Sequence, residues 1–382
     1  MKRFNTTGLC IPHKHYMVNI DERVQQIRAM VDRGDYFEIN RGRQYGKTTT
    51  LAALEHSLTD EYGVIRLDFQ AISTSGYRTE GRFVSTLCRI LWRKRSKLGM
   101  PEQVQADVRE LARMDEDKAS LDRLFFAFSD WCDESDKPLV LIIDEVDSAS
   151  NNQVFLDFLA QLRLQFLDRG KDLDATAFQS VILAGVTDVQ HLRSKIREED
   201  QHKVNSPWNI ATAFEIDMSL SAKGIAGMLD EYENDHSTGM DTAQIAQEIY
   251  SFTGGYPFLV SRICQLIDTQ LAGEARFPDL PAAWTVEGVS EAVRRILNEK
   301  NTLFDSLMGK IQNDLELMEM VQQILFEGDL ILYNSYQINI SDAEMYGFIR
   351  NEHGKMLIAN RIFETLLYNY YLRNCLEINC IF

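Results

Sequence analysis

The sequence predicts an α/β fold built on a parallel sheet, followed by helices and a small domain that contains a β-hairpin. Three observations lead to this prediction. Residues 36–50 change from an apolar alternation to a glycine-containing loop and then to a helical pattern. Residues 139–146 form an apolar run that ends in two adjacent carboxylates. From residue 219 onwards the strand patterns disappear, until residues 345–359 indicate a hairpin.

The loop within residues 36–50 has the composition of a phosphate-binding loop. Small residues allow backbone N–H groups to surround phosphate oxygens, and the N-terminus of the following helix adds partial positive charge. Lys47 would reach the β- and γ-phosphates, and the Thr48 hydroxyl would ligate Mg²⁺. The candidate nucleotide-binding residues of this loop are Gly42, Arg43, Gln44, Tyr45, Gly46, Lys47, Thr48 and Thr49.

The glycine spacing of this loop departs from the usual pattern. G-x-x-x-x-G-K-[ST] places its first glycine at position 41, where this sequence has Arg41, and the glycine follows as Gly42. A helix-capping turn that contains Gly-Lys-Thr by coincidence is the alternative. The loop taken alone predicts nucleotide binding and leaves that alternative open.

Residues 139–146 predict a buried parallel strand that ends in Asp144 and Glu145. Open α/β sheets bind ligands at the carboxyl ends of their strands. Asp144 would hold Mg²⁺ through water, and Glu145 would polarise the attacking water, the two roles that hydrolysis requires. An ordinary acidic turn explains one such carboxylate. The pair, downstream of a phosphate-loop pattern, predicts a Walker B motif.

Two regions beside these motifs supply further candidates. Tyr16 lies just before the first predicted helix, where it either contacts adenine or packs in the core.

A second strand is predicted at 64–69, and a long helical region at 80–131 is interrupted near 99–101. This region carries the most basic run of the chain. We interpret that run as a solvated helix face, with nucleic-acid or partner contact as the alternative. Its members are Arg89, Arg93, Lys94, Arg95 and Lys97.

A further buried strand is predicted at 179–185, and the polar residues after it are candidates for sensing the γ-phosphate. Thr187 is the predicted sensor. Arg193 and Arg197 follow in a helical segment, where either is a candidate arginine finger to a neighbouring subunit or an ordinary surface residue. Residues 214–218 alternate and predict a final strand.

The rest of the chain predicts a helical lid and a C-terminal domain. A Gly-Gly pair ends one lid helix, and Pro257 occupies the first turn of the next. The proline-containing stretch 277–285 is the expected linker. Helices followed by a hairpin suggest a winged helix, but acidic residues outnumber basic ones there, which disfavours DNA contact and favours protein interaction. The predicted domains are 1–218 (ATPase core), 219–285 (lid) and 286–382 (winged-helix-like).

Composition narrows the class of protein. The 382 residues are 45% hydrophobic and 25% charged, with a net charge of −17, which argues against broad electrostatic binding to nucleic acid or anionic membranes. The six scattered cysteines form no metal-binding spacing and predict reduced thiols in a cytoplasm. Because no apolar leader or stretch of about 18 apolar residues is present, no membrane association is expected.

Several stretches together resemble the bacterial AAA-ATPase-like family, which belongs with the STAND-related, archaeal-type ATPases of the AAA+ class. They are RGRQYGKTTTL, LVLIIDEVDS, LAGVTDVQHLRSKIR, SPWNIATAFEIDMSLS, SFTGGYPFLVSRIC and YGFIRNEHGKMLIANRIFE. The resemblance implies an ASCE P-loop NTPase sheet in which the Asp144 strand neighbours the Thr187 strand, then a helical lid and a winged helix. It implies ATP and Mg²⁺ as cofactors and places Pro257 near the adenine.

The resemblance also shapes the expected function. We expect an Mg²⁺-dependent ATPase that acts as a nucleotide-driven switch. One alternative is a nucleotide-gated oligomeric scaffold with little turnover that controls a separate effector protein, and another is a DNA-binding regulator. Many relatives continue into a PD-(D/E)xK nuclease-like domain, whereas no such constellation follows Tyr371 here, so we expect no nuclease activity in this polypeptide.

Overall fold

A computed structural model describes residues 1–171, 176–186, 189, 208–326, 331–332, 334 and 337–379. The chain forms two compact units. The sheet unit comprises Asp21–Asn40 and Thr50–Ile216. The helical unit comprises Met1–Ile20, Arg41–Thr49 and Asp217–Phe382. None of the helices in the described ranges is long and apolar enough to cross a bilayer.

The elements of the described chain are numbered in sequence order. The strands are β1 (Arg3–Phe4), β2 (His15–Tyr16), β3 (Tyr36–Asn40), β4 (Gly63–Asp68), β5 (Leu139–Asp144), β6 (Ser180–Gly185), β7 (Ile349–Glu352) and β8 (Lys355–Ile358). The helices are α1 (Asp21–Asp32), α2 (Lys47–Leu58), α3 (Glu80–Lys94), α4 (Glu102–Leu111), α5 (Leu121–Glu134), α6 (Gln153–Arg169), α7 (Ala222–His236), α8 (Thr242–Thr253), α9 (Pro257–Leu266), α10 (Leu280–Ala283), α11 (Val286–Asn298), α12 (Thr302–Asn313), α13 (Leu315–Phe326), α14 (Ile338–Met345) and α15 (Arg361–Asn379).

The sheet unit contains a four-stranded sheet in the order β3-β6-β5-β4, and each neighbouring pair is parallel. Every residue of β5 and β6 is buried, as their continuous apolar sequences predict. Asn40 pairs with Gly185, and Asp68 pairs with Asp144, so the strands end together at one edge. The predicted parallel sheet is confirmed, as is the position of β6 beside β5.

The long helical region predicted between residues 80 and 131 consists of three helices, α3, α4 and α5. Thr79 and Ser120 cap α3 and α5 through their hydroxyl oxygens. Gly99, with a φ of 58°, and Pro101, which precedes α4, supply the predicted interruption. Phe83 of α3 packs edge-on against Phe158 of α6, with 5.6 Å between ring centroids, within the core of this unit.

The strand predicted at 214–218 is absent from this part of the structure. The chain there makes a single parallel bridge, in which the N–H of Thr212 donates to the Tyr36 carbonyl oxygen at 2.8 Å. The Phe214 ring then stacks on Phe37, with 6.1 Å between centroids. The Asp217 carboxylate accepts from the N–H and hydroxyl of Ser219, so a local turn replaces further ladder pairing.

The helical unit surrounds an aromatic cluster that draws on distant parts of the sequence. Phe4 of β1 packs against Tyr232 of α7 and Trp284, at centroid distances of 5.2 and 5.9 Å. Trp284 is only 2% exposed and directly follows α10. Of the stretch predicted as a linker, Phe277, Ala283 and Trp284 are buried, whereas Pro278 and Pro281 are exposed. The linker at 277–285 stays a prediction.

The turn between α8 and α9 has the conformation that its Gly-Gly pair and its proline predict. Gly254 ends α8 in the left-handed conformation with a φ of 55°, and Pro257 occupies the first turn of α9, where its missing N–H leaves no hydrogen bond unmade. Gly255 also has a positive φ, 78°, and a Cβ there would lie 2.1 Å from the Leu220 carbonyl oxygen. Only glycine fits this close backbone approach.

The predicted β-hairpin is confirmed as β7 and β8, which pair antiparallel in the register Arg350 to Leu357. His353 and Gly354 turn the chain with φ values of 54° and 81°. Helices α12, α13 and α14 precede the hairpin, and α15 follows it. Their buried side chains join one core with those of α7 to α11. The three-domain division and the winged-helix assignment stay predictions.

Candidate functional site

The phosphate loop, residues 41–49, belongs to the helical unit and leads into α2. Gln44 and Gly46 have positive φ values, 58° and 82°, which turn the chain sharply before the helix. Lys47 is the first residue of α2 and is 7% exposed. Its Nζ donates to the carbonyl oxygens of Arg41 (2.8 Å) and Gly42 (3.0 Å). The loop is therefore folded around its own lysine.

The position of the displaced glycine is explained by a close approach within the helical unit. A Cβ on Gly42 would lie 2.7 Å from the backbone oxygen of Tyr346, closer than packing allows. The Tyr256 hydroxyl donates to the carbonyl oxygen of the next residue, Arg43, at 2.5 Å. Glycine is needed at 42 because the chain at residue 346 occupies the space of a side chain.

Three further contacts join the phosphate loop to the rest of the helical unit. The ring of Tyr45 meets Tyr256 edge-on, with 4.6 Å between centroids. Gln44 Nε2 donates to Thr302 Oγ1 at 3.3 Å. Pro257 Cγ lies 3.9 Å from the position that a Cβ on Gly46 would take. The structure thus brings Pro257 beside the loop, and its contact with adenine stays a prediction.

Thr48 and Thr49 lie in the first turn of α2, whose N–H groups have no partner within the helix. Thr48 is exposed to solvent. Thr49 Oγ1 accepts from the N–H of Cys10 at 3.1 Å, so it anchors the N-terminal segment. Thr49 thus has a structural contact, and the metal-ligating role of Thr48 stays a prediction.

Tyr16, the candidate adenine contact, is packed in the core of the helical unit at 1% exposure. Its hydroxyl donates to Asp235 Oδ2 at 2.7 Å, and its ring meets Tyr232 edge-on at 5.2 Å. Burial, together with the hydrogen bond to Asp235, raises the pKa of Tyr16. This placement agrees with the core-packing alternative, and the adenine contact stays a prediction.

Asp144, the predicted metal ligand, and Glu145, predicted to polarise the attacking water, lie at the carboxyl edge of the sheet unit. Asp144 ends β5 and is 4% exposed. Its Oδ1 accepts from the N–H of Glu145 at 3.1 Å, and its Oδ2 accepts from Arg66 Nη2 at 3.1 Å. Glu145 adopts a left-handed conformation, with φ 57° and ψ 44°. Such strain in a non-glycine residue concentrates at functional sites.

Asp147, which sequence reasoning missed, ties the ends of two strands together. Its Oδ1 and Oδ2 accept from the N–H of Val186, at 3.0 and 2.8 Å. The signal in the sequence was a third carboxylate three residues after Asp144. The predicted sensor Thr187 comes next in the chain and lies outside the described residues. The finger candidates Arg193 and Arg197 also lie outside them.

Most of the basic run of α3 is engaged within the sheet unit. Arg89 donates to the Ala112 carbonyl oxygen at 3.0 Å, and Lys94 donates to that of Arg66 at 2.9 Å. The Arg95 guanidinium lies over the Trp92 ring at 4.3 Å. Desolvation by burial lowers the pKa of Lys94. These contacts favour a structural role for the run over nucleic-acid contact.

The donor chemistry of the candidate metal ligands fits Mg²⁺. Asp144 and Thr48 offer a carboxylate and a hydroxyl, and Mg²⁺ prefers hard oxygen ligands. Across the described ranges, no group of three or more His, Cys, Asp or Glu side chains is arranged to hold a metal. Mg²⁺ is commonly bound by one or two carboxylates together with substrate phosphates. The Asp144 carboxylate in the sheet unit and the Thr48 hydroxyl in the helical unit are each a donor of a suitable kind.

Comparisons with known proteins match nearly the whole chain. A family model described as an AAA-like domain matches residues 13–374. The uncharacterized WD repeat-containing protein slr0143 of Synechocystis sp. is 21% identical over 360 residues. The match covers 90% of this chain and 28% of that protein, so the chain spans less than a third of its relative.

Solved structures match this chain at low sequence identity. The Walker-type ATPase PABY2304 of Pyrococcus abyssi matches with a TM-score of 0.62 and 12% identity, over 96% of this chain and 99% of that chain. The Aeropyrum pernix ORC2 protein has a TM-score of 0.44 and 14% identity, over 92% of both chains. The Thermotoga maritima RuvB Holliday junction branch migration motor has a TM-score of 0.41 and 13% identity, over 91% of this chain and 95% of that chain.

Proposed function

Because the chain belongs to the AAA-like domain family, we propose that it binds ATP with Mg²⁺, hydrolyses it and acts as a nucleotide-driven switch. Lys47 would neutralise the β- and γ-phosphates. Thr48 and Asp144 would hold Mg²⁺, which supplies positive charge to the phosphates when bound. Glu145 would orient and polarise the attacking water. Thr187 is proposed as the γ-phosphate sensor, and Arg193 or Arg197 as the finger.

The switch is supported by one observation, which is that the phosphate loop packs against elements far along the chain in the same unit. Tyr256 at the start of α9 holds the Arg43 carbonyl, and the backbone of Tyr346 lies against Gly42. A loop that reorganises around phosphates changes both contacts. We propose that α12 to α15 with the β7–β8 hairpin form a winged-helix module that responds to this change.

ATP turnover with Mg²⁺ tests the enzymatic part of this proposal. Lys47→Ala should abolish ATP binding, whereas Glu145→Gln should bind ATP and lose turnover by at least about a hundredfold, the scale of a lost catalytic base. Lys118→Ala removes a lysine that is 65% exposed on the sheet unit and should behave as wild type. Equal turnover in Lys47→Ala, Glu145→Gln and wild type would refute the assignment of the site.

A nucleotide-gated scaffold with little turnover is the second candidate function. It is favoured by the relative slr0143, a WD repeat-containing protein in which the matched region is only 28% of the length. Such an arrangement suits a domain that controls another domain or a separate effector. Mass photometry with and without ATP tests this candidate. Binding without turnover, accompanied by assembly, supports it, and a monomer under all conditions counts against it.

A further inference from the structure

Arg66 occupies an unusual position for a charged residue, in the middle of the edge strand β4. Ile65 and Leu67 on either side are buried at 1%, so they face the core of the sheet unit. Arg66 therefore points to the other face, as alternation along a strand requires. It pairs in register with Ile142, and Asp144 lies two residues further along β5 on the same face.

The Arg66 guanidinium joins two carboxylates. Nη2 lies 3.1 Å from Asp144 Oδ2, and Nη1 lies 3.4 Å from Glu55 Oε2 of α2. The Arg66 and Glu55 side chains are each 21% exposed, and the Asp144 side chain is 5% exposed. Lys97 also pairs with Glu55, at 3.1 Å, and its side chain is 77% exposed. Arg66 thus has a buried partner and a more accessible one.

A carboxylate as buried as Asp144 requires a positive charge nearby, because an unpaired ion in the interior costs several kcal/mol. Arg66 supplies that charge. The Asp144 carboxylate has about four lone-pair sites, and the contacts from Glu145 and Arg66 leave capacity for another donor. Two cations at one carboxylate repel each other, so Arg66 opposes a metal at the same group.

We propose that Arg66 is a positioning residue that serves as the resident counter-ion of Asp144 and competes there with Mg²⁺, with Glu55 as its alternative partner. This inference rests on the proposed function of Asp144. Arg66 orients the Asp144 carboxylate through their contact at 3.1 Å. When Mg²⁺ and nucleotide bind, the Arg66 guanidinium leaves Asp144 and stays paired with Glu55. Arg66 thereby sets the concentration of Mg²⁺ at which nucleotide is held.

The test is a titration with MgCl₂ of wild type and variants mixed with a fluorescent N-methylanthraniloyl derivative of ADP. Arg66→Gln should lower the Mg²⁺ concentration for half-maximal binding about tenfold, because one competing charge is gone. Glu55→Gln should raise it, since Arg66 loses its alternative partner. Lys97→Gln removes the same charge beside Glu55 without touching Asp144, so it should leave the Mg²⁺ requirement within about twofold of wild type.

The melting temperature in EDTA gives a second readout that needs no nucleotide. Arg66→Gln should melt several degrees lower than wild type, whereas the same change in an Asp144→Asn background should cost little, because no buried charge is left unpaired. If Arg66→Gln alone is too unstable to titrate, this comparison of melting temperatures still tests whether Arg66 is the counter-ion of Asp144.

The outcomes separate the two proposals. Suppose that wild type binds nucleotide in a Mg²⁺-dependent way. If Arg66→Gln and Glu55→Gln then require the same Mg²⁺ concentration as wild type, the counter-ion role is refuted and the proposed function stands. If wild type shows no Mg²⁺-dependent nucleotide binding, both proposals fail. Shifts of opposite sign in Arg66→Gln and Glu55→Gln, with Lys97→Gln unmoved, establish the role.

Discussion

The Tyr256 hydroxyl donates to the carbonyl oxygen of Arg43, a residue 213 positions earlier in the sequence. Tyr256 is 2% exposed and immediately precedes Pro257 at the start of α9. Burial raises the pKa of Tyr256, so the hydroxyl stays protonated and keeps donating at physiological pH. The Tyr256 side chain therefore connects α9 to the backbone of the phosphate loop.

Tyr256→Phe removes this hydrogen bond and keeps the ring. We expect the melting temperature to fall by a few degrees, the scale of about 1 kcal/mol for one lost hydrogen bond. Affinity for Mg²⁺-ADP should change about two- to tenfold, because the loop loses a restraint. Tyr368→Phe is the matched control, since that hydroxyl donates to the Leu325 carbonyl oxygen at 2.6 Å. If both variants keep wild-type affinity, Tyr256 does not couple to the nucleotide.

Gly42→Ala places a methyl group against the Tyr346 backbone oxygen. Overpacking of this kind costs about 1–3 kcal/mol, so we expect a lower melting temperature and weaker nucleotide binding. Gly309→Ala is the control within the same unit, because a Cβ on Gly309 of α12 meets no atom within 4 Å. It should raise stability by about 0.5–1 kcal/mol. If Gly42→Ala is as stable as wild type, the backbone at residue 346 moves to accommodate the methyl group at little cost, and the prediction is wrong.

Asp147→Asn tests the connection between the ends of β5 and β6. One amide oxygen replaces two carboxylate oxygens that accept from Val186, so stability should fall by about 1–2 kcal/mol. We expect turnover to fall several-fold with nucleotide affinity preserved. Thermal melting, turnover and fluorescent-nucleotide titration on one preparation give the three values. Lost affinity with intact turnover would contradict this assignment.

Glu291 on α11 predicts a pH-dependent contribution to stability. Hydrogen bonds from Arg294 and Arg295 lower the pKa of Glu291 to about 2, below its ordinary 4.5. A depressed pKa stabilises the folded protein above the ordinary pKa, and this contribution is lost as pH falls from about 4.5 towards 2. Glu291→Gln should therefore lower stability by about 2 kcal/mol at pH 7.

The difference between Glu291→Gln and wild type should hold constant from pH 8 to about 5.5 and shrink below about pH 4.5. Urea unfolding across this range measures it. Glu352→Gln is the control, because its pair with Arg350 is about half exposed on both sides and should contribute little at any pH. A difference that grows as the pH falls would contradict the sign of the predicted effect.

Local sequence patterns predicted most of the secondary structure. The buried strands β5 and β6, the turn at Gly254 and the hairpin β7–β8 each follow from neighbouring residues, whose apolar runs or turn residues leave few alternatives. The strand at 214–218 failed because alternation specifies an extended chain but not a partner. The stretch 277–285 combines both environments, because its prolines are exposed while Phe277 and Trp284 are buried.

Two features of the site that the sequence left unexplained depend on contacts between distant positions. Gly42 looked like a defect in a motif until its approach to Tyr346 explained it. Arg66 lies in a strand that the sequence predicts at 64–69, but its partner Asp144 is 78 residues away. The spacing of a motif reflects what a loop needs to bind phosphate, whereas these contacts reflect what the tertiary fold needs. A single sequence does not distinguish between these two requirements.

The aromatic cluster around Phe4 has a consequence for synthesis on the ribosome. Phe4 is among the first residues made, yet its partners Tyr232 and Trp284 emerge only after the whole sheet unit. Nascent chains fold domain by domain as they emerge. The sheet unit can therefore form its core before the partners of the N-terminal segment have been synthesised. The loop that carries Lys47 packs late for the same reason, because it contacts Tyr256 and Tyr346.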